Sequence, residues 1–229
     1  MSLYFDENTL ARLPRKRGTI QLIMDRLCFP LLCLLSAKHS TALGLTPIDE
    51  ERLRYTLKEL HGHVLDIGCG DNTLVRAYGD GVGVDVYAWP GVDVVVENAA
   101  ALPFGDGEFD CVAMIASLNH IPNREDALAE AARVVRPGGK IILTMITPFV
   151  SWISHHVRYF YDPDQTERGM KSGEVWGLWK SQVDRMLYEA GFVGITSRSF
   201  LWGLNRIYVG YRASASIDSK NLTEHAQST

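Results

Sequence analysis

One stretch of ten residues, 63–72, constrains this chain more than any other: His-Val-Leu-Asp-Ile-Gly-Cys-Gly-Asp-Asn. Residues 64–67 form a short run, apolar apart from one acid, of the kind found in buried parallel strands. The two glycines then turn the chain, and Asp71 or Asn72 can cap the helix that follows. Glycine lets a ligand lie against the main chain, and the free amides of a new helix favour an anionic group. The stretch therefore predicts a ligand-binding turn between a strand and a helix.

The composition narrows the class of protein. The chain has 229 residues and a net charge of −4, so no overall basic field draws it to nucleic acid, and nucleic acid is not a predicted partner. None of the four cysteines lies in a C-x-x-C pair, which favours reduced thiols. The first residues lack the basic-then-apolar order of a signal peptide. These features predict a cytoplasmic protein.

Apolar runs and helical stretches alternate after the glycine turn, which predicts a parallel sheet covered on both faces by helices. The predicted strands are 64–67, 81–85, 92–97, 109–115 and 140–146, followed by a final hairpin of 193–200 and 206–212. The predicted helices are 49–60, one from 123 to an Arg-Pro-Gly-Gly turn at 136–139, and one from about 174 to 190.

The pattern also predicts the organisation of the chain: a helical arm or cap at 1–60, an α/β domain at 61–213 with a substrate-cap insertion at 147–173, and a disordered tail at 214–229. The arm contains the most apolar stretch, 20–37, whose longest uninterrupted run is too short to span a bilayer. The arm can cover the active site or the sheet. Alternatively, residues 12–37 can make a peripheral contact with a membrane, with their basic flank on anionic lipid.

The glycine turn fits one of two nucleotide-binding patterns better than the other. The dinucleotide pattern G-x-G-x-x-G lacks its third glycine, since Thr73 holds that position, which disfavours an NAD(P)-dependent oxidoreductase. An acid instead precedes the first glycine by two residues, giving Asp66-x-Gly68-x-Gly70. This resembles the first motif of class I S-adenosylmethionine-dependent methyltransferases, (Asp/Glu)-x-Gly-x-Gly-x-Gly. Asn72 stands at the third glycine, and asparagine also tolerates left-handed backbone angles.

A second acid stands where this family has one. Asp85 follows Asp66 by 19 residues, at the end of the next predicted strand. A carboxylate there can accept hydrogen bonds from both ribose hydroxyls. Val86 would then offer an apolar surface to the adenine.

A later segment makes the resemblance more specific. Residues 98–110 are similar to the D-A-x-x-L-P-F signature, with its following F-D, of the methyltransferase-11 group, which includes ubiquinone and menaquinone biosynthesis enzymes. In that group the first position bonds the adenine amino group; Asn98 keeps an acceptor oxygen for this, and the amide of Ala99 would meet adenine N1. The loop at 117–122 resembles the family's border of the methionine part of the cofactor, and residues 136–140 match its turn into the fifth strand.

The resemblance covers residues 63–146 well and continues loosely to about 212. It implies a Rossmann-like class I methyltransferase fold: α/β, with a mostly parallel seven-stranded sheet, helices on both faces and a C-terminal antiparallel hairpin. The implied cofactor is S-adenosyl-L-methionine, and the product is S-adenosyl-L-homocysteine. The residues expected to bind it are Asp66, Gly68, Cys69, Gly70, Asn72, Asp85, Val86, Asn98, Ala99 and Ser117.

The acceptor and the chemistry at it stay open. Methyl transfer needs the acceptor in line with the S–CH₃ bond, and it needs a base only when the nucleophile must lose a proton. The candidate catalytic residues are His120 and, in the insertion, His155, His156 and Tyr159. No spacing motif supports a metal site, so none is predicted. Basic residues of the insertion could instead grip an anionic acceptor.

The predicted function is methylation of a small-molecule, lipid-linked or glycan acceptor, on oxygen, nitrogen or carbon. A protein that binds the cofactor without turnover is the alternative, since a fold does not fix a function.

Overall fold

The computed structural model describes residues 7–13, 15–28, 32, 35, 37–148, 152, 172–200, 203 and 205–214. The strands in this part of the chain are β1 Val64–Ile67, β2 Gly81–Asp85, β3 Val94–Val95, β4 Phe109–Ile115, β5 Val135–Ile146, β6 Phe192–Phe200 and β7 Asn205–Arg212. They form one seven-stranded sheet in the order β3-β2-β1-β4-β5-β7-β6.

The described helices lie before and between these strands. They are α1 Glu7–Arg12, α2 Thr19–Leu27, α3 Ala37–Ala42, α4 Ile48–Leu57, α5 Thr73–Tyr78, α6 Arg124–Val134 and α7 Lys180–Glu189, with a 3₁₀ turn at Leu118–His120. The helix predicted at 49–60 is α4, which starts one residue earlier and ends at Leu57. No described helix is long and apolar enough to cross a bilayer.

The strand directions confirm the predicted α/β fold. Strands β1 to β5 run parallel, and β1 lies between β2 and β4. Strand β7 runs antiparallel between β5 and β6 and forms the predicted C-terminal hairpin. Because parallel strands end at the same edge of a sheet, the segments that follow β1, β2 and β4 meet there.

Alternate residues along the central strands enter two separate cores, as a pleated strand requires. In β1, Leu65 lies in one core with Leu187 of α7. Val64 lies in the other core, with Leu53 of α4 and Leu74 of α5. Helices therefore cover both faces of the sheet, as predicted.

The last helix begins later than the sequence predicts. The prediction of helix from 174 is wrong for residues 174–179, since α7 starts at Lys180. Gly177 lies against the end of β5, where an added Cβ would come within 2.5 Å of the Ile146 carbonyl oxygen. The segment before α7 therefore crosses the strand end in close contact with its backbone, and a helix does not fit.

Two strands have other lengths than predicted. Strand β3 keeps only Val94–Val95 of 92–97, since Asp93 turns its carboxylate back to accept a hydrogen bond from the Gly83 amide at 2.8 Å. Strand β5 begins at Val135 rather than at 140, and the predicted turn at 136–139 is a bulge within it. Its register jumps from the Phe109–Val135 pair to the Cys111–Lys140 pair.

Several sequence predictions fall on residues outside the described ranges. Most of the insertion at 147–173 is among them, and so are parts of 20–37 and the tail from 215 onward. The boundaries of the arm, the insertion and the tail stay predictions.

Candidate active site

The carboxyl ends of β1, β2 and β4 bring the predicted motifs together. The amides of Gly68 and Cys69 both donate to the Val84 carbonyl oxygen, at 2.9 and 3.0 Å. Ser117, which follows β4, donates its hydroxyl to the Ile67 carbonyl oxygen at 2.7 Å. The turn after β1 is therefore tied to both neighbouring strands.

Both glycines of the turn have left-handed backbones, with φ of +74° at Gly68 and +56° at Gly70. An added Cβ on Gly68 would lie 2.4 Å from the Ser117 Cβ, so a side chain at 68 would displace Ser117. An added Cβ on Gly70 would meet nothing within 4 Å. The backbone at Gly70 therefore borders open space, where a ligand can lie against it.

Asp85 ends β2 beside this turn. Its Oδ2 accepts a hydrogen bond from the Gly70 amide, and its Oδ1 accepts one from the Tyr87 amide, each at 3.0 Å. A carboxylate offers about four lone-pair sites, so the hydroxyls of a ligand can join these two amides. Val86 is 45% exposed and presents an apolar surface next to the carboxylate.

Asp66 lies below the turn and is buried, with 2% of its surface exposed. Its Oδ1 has no hydrogen-bond partner among the described residues. Burial, together with the charges of Asp85 and Asp71, raises the pKa of the Asp66 carboxyl to about 8. A positive charge beside such a group would favour its ionised form. The arrangement therefore suits a cationic ligand.

The Asn72 side chain serves the fold. Its amide donates to the Gly91 carbonyl oxygen at 3.0 Å and to Asp93 Oδ2 at 2.7 Å. It lies over Gly83, where an added Cβ would come within 2.0 Å of Asn72 Oδ1. Any contact of Asn72 with a ligand would therefore come from its backbone, which is left-handed with φ of +62°.

Cys69 also contributes no reactive group. Burial raises the pKa of its thiol, and nearby acids, Asp66 first among them, raise it further. The thiol donates weakly to the Gly70 carbonyl oxygen at 3.6 Å. A protonated thiol is a poor nucleophile, so any role of Cys69 in binding would rest on its backbone.

Asn98 and Ala99 lie on a loop that is docked onto the start of α6. Asn98 Oδ1 accepts hydrogen bonds from the Ala100 amide at 3.0 Å and from the Asn123 side chain at 3.1 Å. These two bonds use both lone pairs of that oxygen. The predicted contact of Asn98 with an adenine amino group therefore requires one of them to be exchanged.

A histidine–glutamate pair borders the segment after β4. His120 Nδ1 lies 3.2 Å from Glu174 Oε2, and the Glu174 side chain is fully buried. Ala116 has a left-handed φ of +55°, which is uncommon outside glycine, and it turns the chain from β4 into the 3₁₀ turn that holds His120. Glu174 is not among the residues that the sequence predicts for the site, because the pattern around it predicts a helix.

The segment that carries Glu174 is held against the loop after β4 by its backbone. The Val175 amide donates to the Asn119 carbonyl oxygen at 3.0 Å, and the Arg124 side chain donates to the Gly173 carbonyl oxygen at 2.6 Å. These contacts of Gly173 and Val175, the two neighbours of Glu174 in the sequence, therefore fix its position beside His120.

The other predicted catalytic residues, His155, His156 and Tyr159, lie outside the described residues. Their roles stay predictions.

Comparison with known proteins identifies a domain in part of the chain. A family model described as a methyltransferase domain matches residues 65–143, which include most of β1, all of β2 and β4, and every described residue of the site except Glu174. Residues 65–143 therefore carry a methyltransferase domain. S-adenosylmethionine is the cofactor that such a domain implies.

Curated relatives share this methyltransferase domain. The ubiquinone/menaquinone biosynthesis C-methyltransferase UbiE of Francisella tularensis subsp. novicida is 25% identical over 134 residues, 53% of this chain and 54% of that protein. The demethylmenaquinone methyltransferase of Renibacterium salmoninarum is 35% identical over 94 residues, 35% of this chain and 39% of that protein. The chain spans about half the length, or less, of these relatives.

Solved structures share the fold of the methyltransferase domain. A SAM-dependent methyltransferase of Thermotoga maritima, titled a possible histamine N-methyltransferase, has a TM-score of 0.59 and 18% identity, over 72% of this chain and 89% of that one. A SAM-dependent methyltransferase of Archaeoglobus fulgidus has a TM-score of 0.54 and 18% identity, over 71% and 92%. At this identity the likeness shows the fold alone.

The residues of the site fit the cofactor. Open space above Gly70 gives room for its main chain to contact a ligand, and Asp85 offers carboxylate oxygens to ribose hydroxyls. The Asp66 oxygen that has no partner in the described part of the chain suits a molecule that carries a sulfonium and an ammonium group. Contact of the cofactor with each of these side chains stays a prediction.

The buried acid predicts how stability depends on pH. The unfolded chain releases the Asp66 proton near pH 4, whereas the folded domain holds it to about pH 8. Asp66 therefore contributes stability that is fully present below pH 4 and is lost as the pH rises towards 8. We expect Asp66→Asn to remove this loss of folding free energy, which is about 4 kcal/mol between pH 5 and 8.5. Urea unfolding of both proteins across this range would measure it.

The difference between variant and wild type isolates this one carboxyl, because all other titrating groups are common to both proteins. Asp93→Asn is a matched control. The Asp93 carboxylate also lies near the turn, but unlike Asp66 Oδ1 its Oδ2 accepts two hydrogen bonds. If the free energy of unfolding varied with pH in the same way for Asp66→Asn and wild type, the raised pKa of Asp66 would be contradicted.

Proposed function

We propose that this protein transfers a methyl group from S-adenosylmethionine to a ring carbon of a small, lipid-like quinol. One arrangement supports cofactor binding: Asp85 accepts a hydrogen bond from the Gly70 amide, next to a buried oxygen of Asp66 that no described residue contacts by a hydrogen bond. The acceptor half is supported by the curated relatives, which are named for ubiquinone and menaquinone biosynthesis.

The chain's own residues bind and orient the cofactor in this proposal. When bound, S-adenosylmethionine supplies a methyl group on a positively charged sulfur, which a nucleophile in line with the S–CH₃ bond takes up. Asp85 holds the ribose, and Gly70 allows close approach of the main chain. Asp66 becomes ionised beside the positive charge, so binding releases a proton below about pH 8.

The histidine–glutamate pair supplies the base. A quinol carbon becomes nucleophilic when the ring hydroxyl loses its proton, and an imidazole suits this step near neutral pH. Glu174 accepts a hydrogen bond from His120 Nδ1–H, which leaves Nε2 with the lone pair that takes the acceptor's proton. The buried glutamate then stabilises the imidazolium that forms.

Turnover assays with a panel of acceptors test the proposal. The full chain would be incubated with S-adenosylmethionine and a hydroquinone with an isoprenoid tail, the same hydroquinone without a tail, a simple phenol and a primary amine. We expect S-adenosylhomocysteine release and a carbon-methylated product with the hydroquinones, fastest with the tailed one. Background release with every ring acceptor would reject the acceptor class.

Calorimetry separates the enzyme from the alternative of a non-catalytic binder. Binding of S-adenosylmethionine without turnover on any acceptor would favour the binder. The oxidoreductase alternative is disfavoured by the antiparallel β7 between β5 and β6, since the dinucleotide fold orders six parallel strands 3-2-1-4-5-6. Tight binding of NADH, measured by the same calorimetry, would favour the oxidoreductase alternative.

A further inference from the structure

Helix α2 presents its apolar side outward. Ile20, Ile23, Met24 and Leu27 recur at the spacing of one helical face and are 79%, 51%, 44% and 72% exposed. The helix has no buried residue. A surface helix normally turns such a stripe towards the core, so α2 has the inverse orientation.

The polar side of α2 is the side that holds it to the domain. Asp25 accepts hydrogen bonds from the Thr46 amide at 2.8 Å and from the Thr46 hydroxyl at 2.7 Å. Gln21 donates to the Gly44 carbonyl oxygen at 2.7 Å. Because Gln21 and Asp25 lie one turn apart on the opposite side from the apolar stripe, these bonds fix the stripe facing outward.

An ion pair strengthens this attachment. Arg17, just before α2, pairs with Asp25 at 3.4 Å and with Glu51 of α4 at 2.7 Å. All three side chains are at most 20% exposed. Helix α2 is therefore clamped to α4 from its polar side, and rotation of the apolar stripe towards the protein would break these contacts.

Positive charge borders the start of the apolar stripe. Residues 10–28 contain five arginines and lysines and one acid, and of these cations Arg12 pairs with Glu50 and Arg17 with Asp25 and Glu51. Arg15 and Lys16, immediately before the helix, are both exposed. Leu43, on the turn that Gln21 holds, is 60% exposed and extends the apolar surface. An apolar stripe flanked by cations complements an anionic lipid surface.

The size of the stripe argues against a protein partner. A nine-residue helix is about 13 Å long, so its single stripe presents far less than the roughly 800 Å² per side of a stable protein interface. Insertion of a few aliphatic side chains into a headgroup layer, assisted by nearby cations, needs no such area.

We propose that α2 is an interfacial helix that docks the domain on anionic membranes. Ile20, Ile23, Met24 and Leu27 insert among the acyl chains, while Arg15 and Lys16 contact acidic headgroups. The proposal goes beyond the methyl-transfer function and does not depend on it, because docking needs neither cofactor nor acceptor.

Vesicle flotation of the full chain tests the proposal. Vesicles of phosphatidylcholine mixed with phosphatidylserine, an anionic lipid of the cytoplasmic leaflet, would be compared with pure phosphatidylcholine. We expect binding to the anionic vesicles to exceed binding to the neutral ones. Ile20→Gln/Leu27→Gln should weaken it at least tenfold, and Arg15→Gln/Lys16→Gln about 10- to 30-fold.

Matched controls come from α7. Tyr188→Gln removes a ring that is 72% exposed, as Leu27 is, and Lys180→Gln/Arg185→Gln removes two exposed cations. Both controls should bind as wild type does, and thermal melts would establish that every variant is folded. Absence of wild-type binding to anionic vesicles, or equal binding by the α2 variants, would overturn the proposal. So would a dimer in light scattering that Ile20→Gln/Leu27→Gln dissociates, since the stripe would then join two copies.

Discussion

Asp85→Ala is expected to weaken S-adenosylmethionine binding by about 2–4 kcal/mol, which is roughly 30- to 1000-fold in the dissociation constant. The substitution removes the carboxylate that would accept both ribose hydroxyls. It also leaves the Gly70 and Tyr87 amides without their acceptor, so the turn above the site loses a restraint. Isothermal calorimetry with wild type and variant at one pH would measure the loss.

Asp80→Ala is the matched control for this experiment. Asp80 precedes the amino end of β2, whereas Asp85 ends the strand, and its side chain is 65% exposed and paired with His63 at 2.7 Å. The control should bind the cofactor as wild type does. Equal binding by Asp85→Ala would mean that the cofactor does not contact the end of β2.

The second large effect is expected at the proposed base. His120→Ala should lower kcat by about 10² to 10⁴-fold with a quinol acceptor, because the ring hydroxyl then loses its proton to water. Cofactor binding should change little. Glu174→Gln keeps a hydrogen-bond acceptor for Nδ1 but removes the charge, so we expect a smaller loss, on the order of 10-fold.

The split between kcat and cofactor affinity distinguishes a positioning role of Glu174 from a merely structural one. Glu174→Gln should lower kcat while the dissociation constant of S-adenosylmethionine stays unchanged, because Glu174 contacts His120 and not the turn after β1. His63→Gln is the control, since His63 is also paired with an acid but at the other edge of the sheet. Unchanged turnover in His120→Ala would show that the base lies elsewhere.

The sequence predicts the parts of the site that are local along the chain. Asp66, Gly68 and Gly70 lie within five residues of one another, and each stands at a strand end that apolar patterning alone locates. Asp85 follows at the end of the next strand. Since parallel strands end at one edge, their meeting in space is a direct consequence of the pattern.

The sequence pattern does not predict pairs of residues that are far apart in the chain, nor segments of irregular backbone. Glu174 is 54 residues from His120, and nothing in the pattern of either segment links them. The non-helical path of 174–179 follows from the contact of Gly177 with the end of β5, which opposes the helical periodicity of the segment. The outward stripe of α2 is likewise set by Asp25 and its tertiary partners.

Asn72 and Gly83 illustrate how two positions can constrain each other's evolution. The amide of Asn72 occupies the volume that any side chain at 83 would need. A glycine at 72, as the family motif has it, would vacate that volume and tolerate alanine at 83, whereas alanine at 83 alone would collide with the amide. The two substitutions should therefore show strong positive epistasis. A lineage that exchanges the Asn72–Gly83 pair for glycine at 72 and alanine at 83 should change position 72 first.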